Sequence, residues 1–187
     1  MDADELPRTS GPSPMTPLPS ESGYQPVGPR RTFEDLVAGE FRRSRSMLVT
    51  QDEILEFARR YDPQWFHSDP ELARGSVFGE LVASGIHILA MWRQLDHEIN
   101  SDVDFVCGVG WDDLRLKKPV KAGDSLHVTS EILDLRPSTS GTDRGTAITR
   151  YEVVNQRGET AVSFTSINLV YTRSGRDKSR ATASASA

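Results

Sequence analysis

"SGIHILAMWRQLDH", residues 84–97, places apolar side chains at Ile86, Ile88, Leu89, Ala90, Met91, Trp92 and Leu95. At helical spacing these positions surround almost the whole circumference, which is the signature of a buried helix rather than a surface one. Ser84 is a favourable N-cap residue and opens the helix. Beyond residue 102 the apolar period changes to two. "DLRLKKPV" runs into the turn "KAGD", and "SLHVTSEILDL" carries Leu126, Val128 and Ile132 on one face. "GTAITRYEVVNQ" and "TAVSFTSINLVYT" flank "NQRGE", a hairpin loop where Gly158 suits a positive φ. In the last strand the apolar parity slips from Val162 and Phe164 to Ile167, Leu169 and Tyr171. A bulge near Thr165–Ser166, or burial on both faces, accounts for the slip. The sum is α+β: helices first, then antiparallel strands, with a buried helix lying on the sheet.

Upstream, "FRRSRSMLV" reads as a strand and "TQDEILEFARRYD" as a helix. Thr50 followed by Glu53 is a capping-box pattern. Ile54, Leu55, Phe57, Ala58 and Tyr61 make one helical stripe. Pro63 ends this helix and pushes Asp62 out of the α region. Asp69 and Pro70 restart a short turn as N-cap and first helical residue.

The chain has 187 residues, which fits one domain. Its apolar fraction of 36% is low for a globular protein, partly because of polar ends. Residues 1–31 are rich in Pro, Ser and Gly without apolar periodicity, and 174–187 are similar. Both are expected to be disordered tails flanking a folded domain at 32–173. A net charge of −5 gives no reason to expect nucleic acid or an acidic membrane as partner. The lone Cys107 excludes an intrachain disulfide and fits a reducing compartment. The first thirty residues do not look like a secretory signal, and the most apolar segment is too short for a bilayer. A cytoplasmic protein is expected.

The chemistry concentrates in "YDPQWFHSDP", residues 61–70. Asp62 stands at a helix C-terminus, where a carboxylate meets negative partial charge, and Trp65 and Phe66 favour loss of water. Both effects are expected to raise its pKa toward a range useful for proton transfer, and to make Asp62→Asn at least as stable as the wild type. His67 adds a second titratable group, and the two can share a water. The plainer reading is that Asp62 solvates a turn and His67 packs a loop. At the second element, Ser84-Gly85, the first N–H groups of the buried helix lack intrahelical partners. Gly85 leaves room for a ligand carbonyl there, or merely permits close helix–sheet packing. His87 reads as a packed core residue, and His97 and His127 as ordinary surface or sheet residues. Lys117, Lys118 and Lys121 suit a solvated face or phosphates. No metal-ligand spacing, phosphate loop or nucleophile elbow is present.

"FARRYDPQWFHSDPELARGSVFGELVASGIHILAMW", residues 57–92, resembles the MaoC-like dehydratases, which include the (R)-specific enoyl-CoA hydratases. The shared pattern is Asp62, four intervening residues and His67, then Phe78-Gly79, then Ser84-Gly85 opening a helix. "LRLKKPVKAGDSLHVTSEIL" resembles the strand pair that follows, so the resemblance covers about 32–173. It implies a hotdog fold, in which an antiparallel sheet wraps a long central helix, and a homodimer. It implies an acyl thioester substrate on CoA or an acyl carrier protein, with Asp62, His67 and Gly85 as catalytic groups and Gln64, Ser84 and Gly85 against the substrate. No metal or redox cofactor is implied; CoA enters only as the carrier part of the substrate. Two departures from the family pattern stand out. Gln64 and Trp65 replace the usual Asn and Pro between Asp and His, and Ser84 replaces the His that commonly precedes the glycine. A hotdog thioesterase, a non-catalytic hotdog subunit and an interaction protein remain as alternatives.

Overall fold

Helix α1, Gln51–Tyr61, begins where the capping box requires: the Thr50 hydroxyl accepts from Glu53 N–H, and the Glu53 carboxylate reaches back to Thr50 N–H at 2.9 Å. Ile54 and Ala58 face inward, while Tyr61 at the far end is exposed. Two single-turn helices follow, α2 (Trp65–Ser68) and α3 (Pro70–Ala73). Asp69 caps α3 by accepting from Glu71 N–H and Leu72 N–H. The central helix, α4, spans Gly85–Asn100 with Ser84 as N-cap.

The computed structural model describes residues 28–139 and 141–185. Its sheet has six strands: β1 (Phe41–Arg43), β2 (Met47–Leu48), β3 (Phe105–Leu116), β4 (Ser125–Pro137), β5 (Arg144–Val154) and β6 (Thr160–Tyr171). The order is β1-β4-β5-β6-β3, with β2 also on β4, and every strand pair is antiparallel. The β5–β6 connection is tight because Gly158 supplies φ 76°. The sheet packs against α4 through a shared core. Trp92, 1% exposed, sits at the centre, edge-on to Tyr151 and Phe164 with ring centroids 5.1 and 4.7 Å away. Alternate residues of β4, β5 and β6 (Leu126, Val128, Tyr151, Val153, Val162 and Phe164) complete this core.

Four expectations change. "FRRSRSMLV" divides into β1 and β2 rather than forming one strand. The buried helix runs three residues past His97, because its polar end is satisfied inside: Asn100 Nδ2 donates to Asp96 Oδ1 at 2.8 Å, and Arg93 Nη1 to Asp96 Oδ2 at 2.7 Å. There is no bulge in β6 at Thr165–Ser166, since the β5–β6 pairing is unbroken from Arg144↔Tyr171 to Val153↔Val162. Ser166 occupies the inward position between Phe164 and Val170, so the apparent slip is a polar residue on the core face. The register shifts lie elsewhere: in β3, including the step between Asp112 and Arg115 where Asp113 takes φ 52°, in β4 between Ile132 and Asp134, and in the β5–β6 pairing at Val153–Val154.

The fourth change is at the C-terminus, where 174–187 was expected to be a disordered tail. Helix α5, Arg173–Ala185, docks there. It is held by polar contacts that leave no apolar period to read: Arg176 to Asp104, Arg173 to Asp35, and Lys178 to Asp143 at 2.6 Å. Gly175 is required by the close approach, because a Cβ there would lie 1.8 Å from the Asp143 carbonyl oxygen. Most of the expected N-terminal tail, residues 1–27, lies outside the described residues. No helix of the described residues is long and apolar enough to cross a membrane.

Candidate active site

Asp62 is the C-cap of α1, with φ −151° and ψ 73°, outside the α region that Pro63 disfavours for the residue before it. Its N–H still bonds to Ala58 O at 2.9 Å, but its backbone has left the helical conformation. That carboxylate arrives at the N-terminal end of α4. Ser84 Oγ donates to Asp62 Oδ2 at 2.6 Å, and Gln64 Nε2 donates to Oδ1 at 3.2 Å.

This overturns the expected rise in the Asp62 pKa. The Ser84 hydroxyl bond is the largest influence, and it holds the carboxyl below its ordinary range; burial opposes it, while Gln64 and the nearby His67 reinforce it. The sequence expectation weighed only the helix end that Asp62 leaves. The end it meets carries positive partial charge, which favours the carboxylate.

His67 is 7% exposed, on α2, edge-on to Phe66 at 4.4 Å. Its Nδ1 lies 2.7 Å from Val82 O. A carbonyl only accepts, so Nδ1 carries the proton and a neutral ring presents its lone pair at Nε2. Nε2 faces Asp62 Oδ2 at 3.9 Å, too far for a direct hydrogen bond. Val82 is itself fixed by Val82 N–H to Phe66 O at 3.3 Å and by the neighbouring Ala83 N–H to Val120 O at 2.8 Å. The loop before α4 therefore orients the imidazole.

At the start of α4, Ile86 N–H bonds to Ser84 Oγ at 3.2 Å. Gly85 N–H has no partner among the described residues. Gly85 and His67 both line a cavity of about 330 Å³, whose apolar wall includes Phe66, Phe78, Ile88 and Leu116. A Cβ on Gly85 would lie 2.6 Å from Leu116 Cδ1, so any side chain there must displace the Leu116 side chain where it crosses the helix start.

Of the residues singled out in the sequence, Asp62, Gln64, His67, Ser84 and Gly85 meet in this one corner. Gln64 and Ser84 touch Asp62. Lys117 and Lys118 line the same cavity, whereas Lys121 is paired with Glu80 at 2.5 Å. His87 lies elsewhere, in a groove of about 260 Å³ between α1 and α4. His97 is exposed and His127 is on β4. Val82 O and Leu116 were missed. The first is a main-chain group with no sequence signal; the second stands in the quoted run "DLRLKKPV" but reads only as a strand residue. Among the described residues no group of three or more His, Cys, Asp or Glu is placed to hold a metal ion.

Residues 32–167 match the family model described as the MaoC like domain. The chain is 33% identical over 132 residues to 3-hydroxyacyl-thioester dehydratase Z of Mycobacterium tuberculosis, a match covering 66% of this chain and 87% of that one. Among solved structures it resembles a MaoC-like dehydratase from Rhodospirillum rubrum, with a TM-score of 0.71 and 35% identity over 76% of this chain and 98% of the other. It also resembles a protein from Archaeoglobus fulgidus described as a monoamine oxidase regulatory protein, with a TM-score of 0.70 and 27% identity over 80% and 99% of the two chains.

Proposed function

The chain belongs to the MaoC-like dehydratase family, and from that premise we propose that it catalyses the reversible hydration of an enoyl thioester to a 3-hydroxyacyl thioester. The observation that carries this reading is the pairing of two proton acceptors, His67 Nε2 and Asp62 Oδ2, 3.9 Å apart beside an unpaired Gly85 N–H at an apolar cavity. One water can donate a hydrogen bond to each acceptor, which aims its oxygen away from both.

In the hydration direction that oxygen attacks the β-carbon. The π electrons move toward the thioester carbonyl, and the enolate oxygen is held by Gly85 N–H at the positive end of α4. The proton lost by water passes to His67, whose charge Asp62 offsets. The pair then returns a proton to the α-carbon, and the carbonyl re-forms. Water adds across one double bond, so no electron acceptor, metal or redox cofactor is required. Because the Ser84 bond favours the ionised form of Asp62, this scheme starts from a carboxylate and from an imidazole whose Nε2 is free to accept.

The acyl group is carried on CoA or an acyl carrier protein, and the working unit is a homodimer. Support for the dimer comes from β3, an edge strand of the sheet with Val109 and Trp111 exposed. The printed name of the mycobacterial relative, a 3-hydroxyacyl-thioester dehydratase, supports the substrate class. A panel of enoyl-CoAs differing in chain length and branching tests the proposal through loss of enoyl absorbance. Hydration of at least one member is expected. Release of free thiol instead makes the protein a thioesterase, and inactivity across the panel, with light scattering showing a folded dimer, removes the reading.

A further inference from the structure

Both carboxylate oxygens of Asp62 are engaged by donors of its own chain, Ser84 Oγ on Oδ2 and Gln64 Nε2 on Oδ1. A hydroxyl has one hydrogen, and that of Ser84 is committed to Asp62 while its oxygen accepts Ile86 N–H. Ser84 is also only 1% exposed. It has no donor left for a thioester, so the substrate contact that the family resemblance implies for it does not fit. Building on the hydration reading above, we infer that Ser84 and Gln64 are positioning residues that hold Asp62 as an ionised, rotationally fixed acceptor toward His67.

The pair stands where the chain departs from the family pattern, with Ser84 for His and Gln64 for Asn. A relay from the first turn of α4 through Ser84 to Asp62 couples the carboxylate to the same helix end that offers Gly85 N–H. The acceptor and the free donor are thereby kept in register by one residue. The charged groups around Asp62 are His67 on α2, Arg59 and Arg60 in the last turn of α1, and Lys117 and Lys118 across the cavity. His67 Nε2 lies 3.9 Å from Asp62 Oδ2. The direct bond from Ser84, rather than a cationic neighbour, is the main cause of the lowered Asp62 pKa.

The test is a carboxyl ¹³C NMR titration of Asp62, assigned with Asp62→Asn, in the wild type and in Ser84→Gly, Ser84→Ala, Ser84→Thr and Gln64→Ala. kcat and KM are measured for each on an enoyl-CoA. Ser84→Gly retains most of the helix-capping tendency and Ser84→Ala does not, so a shared effect belongs to the carboxylate rather than to capping. In both, the Asp62 midpoint should rise and kcat should fall by about 10²-fold, the scale for a misplaced catalytic group. KM should change by less than about threefold, because no uniform binding is removed. Ser84→Thr, which keeps the hydroxyl, should keep the wild-type midpoint, and Gln64→Ala should shift it less than the Ser84 variants do. An unchanged midpoint in Ser84→Gly, or a raised KM with unchanged kcat, overturns the inference. If the wild type hydrates no enoyl thioester, the functional reading fails on its own, and the titration still decides whether Ser84 sets the state of Asp62.

Discussion

His67 and His87 are equally buried, each 7% exposed, and each is packed against a phenylalanine ring. His67 meets Phe66 edge-on; His87 stacks on Phe57 with centroids 4.5 Å apart and planes inclined by 7°. Their nitrogens separate them. His67 Nδ1 is held by Val82 O, which fixes the tautomer and aims Nε2 at Asp62. His87 Nδ1 is buried without a partner among the described residues, and burial pushes its pKa down. Burial and aromatic company are common to both, so neither marks a catalytic histidine. What distinguishes the active-site corner is a second hydrogen bond that dictates which nitrogen faces which group. The α1–α4 groove around His87 has the cavity and the imidazole but lacks that constraint.

The largest effects should come from the first corner. His67→Gln and Asp62→Asn should each lower enoyl hydration by about 10²–10⁴-fold, the range for loss of a general acid–base group. Circular dichroism should show a folded domain in both. Asp62→Asn should also be slightly less stable than the wild type at neutral pH, reversing the sequence expectation. It exchanges a charged acceptor for a neutral one on Ser84, a difference of about 1 kcal/mol. Because the folded-state pKa of Asp62 is lowered, this contribution is present above the unfolded carboxyl pKa. It disappears as pH falls through the folded value. An unchanged or higher Tm for Asp62→Asn at pH 7 would show that the α1 terminus dominates after all.

Gly85→Val should come next, with hydration lowered by about 10²–10³-fold, the scale for an impaired oxyanion donor. Its side chain must push Leu116, which is exposed enough to move, so the protein should fold. Normal turnover in a folded Gly85→Val protein would leave glycine there as a packing device only.

His87→Phe is the counterpart in the other corner. It removes a buried nitrogen without a partner and keeps the stack on Phe57. Activity should stay near the wild type, and stability should be unchanged or higher by up to about 1 kcal/mol, given the cost of unsatisfied polar groups. The pH dependence sharpens the contrast. The folded-state pKa of His87 lies below its ordinary value, so on acidification the unfolded chain takes up the proton first. Stability therefore falls as pH drops through the ordinary histidine range, and His87→Phe should lose less Tm between pH 7 and pH 5.5 than the wild type. His97 and His127 shift in the same direction and leave a residual slope in both proteins. An activity loss in His87→Phe as large as that of His67→Gln would erase the distinction between the corners.

Much of this architecture is legible in local chemistry. The Thr50–Glu53 box, Pro63, the Asp69-Pro70 restart and the Ser84 cap each act within a few residues, so they locate α1, α3 and α4 without tertiary knowledge. The same boundaries bring Asp62, His67 and Gly85 into consideration together. The parts that were not legible depend on distant partners. Asp62 was assigned the wrong direction of pKa shift because Ser84, 22 positions away, overrides its own helix. The last turn of α4, beyond His97, was not legible because it is held by the Asp96–Asn100 bond, which forms inside. Helix α5 has no apolar stripe, so only its contacts with Asp35, Asp104 and Asp143 reveal that it is docked.

The central claim is that Asp62 and His67 act as one proton-handling unit on an enoyl thioester. The direct measurement is kcat/KM for hydration of a single enoyl-CoA by the wild type, Asp62→Asn, His67→Gln and the double variant. A shared function makes the losses non-additive: the double variant should be about as impaired as the worse single one, as for residues that act together. Losses that multiply, with each single variant retaining appreciable turnover, would contradict the account and assign the two residues independent roles.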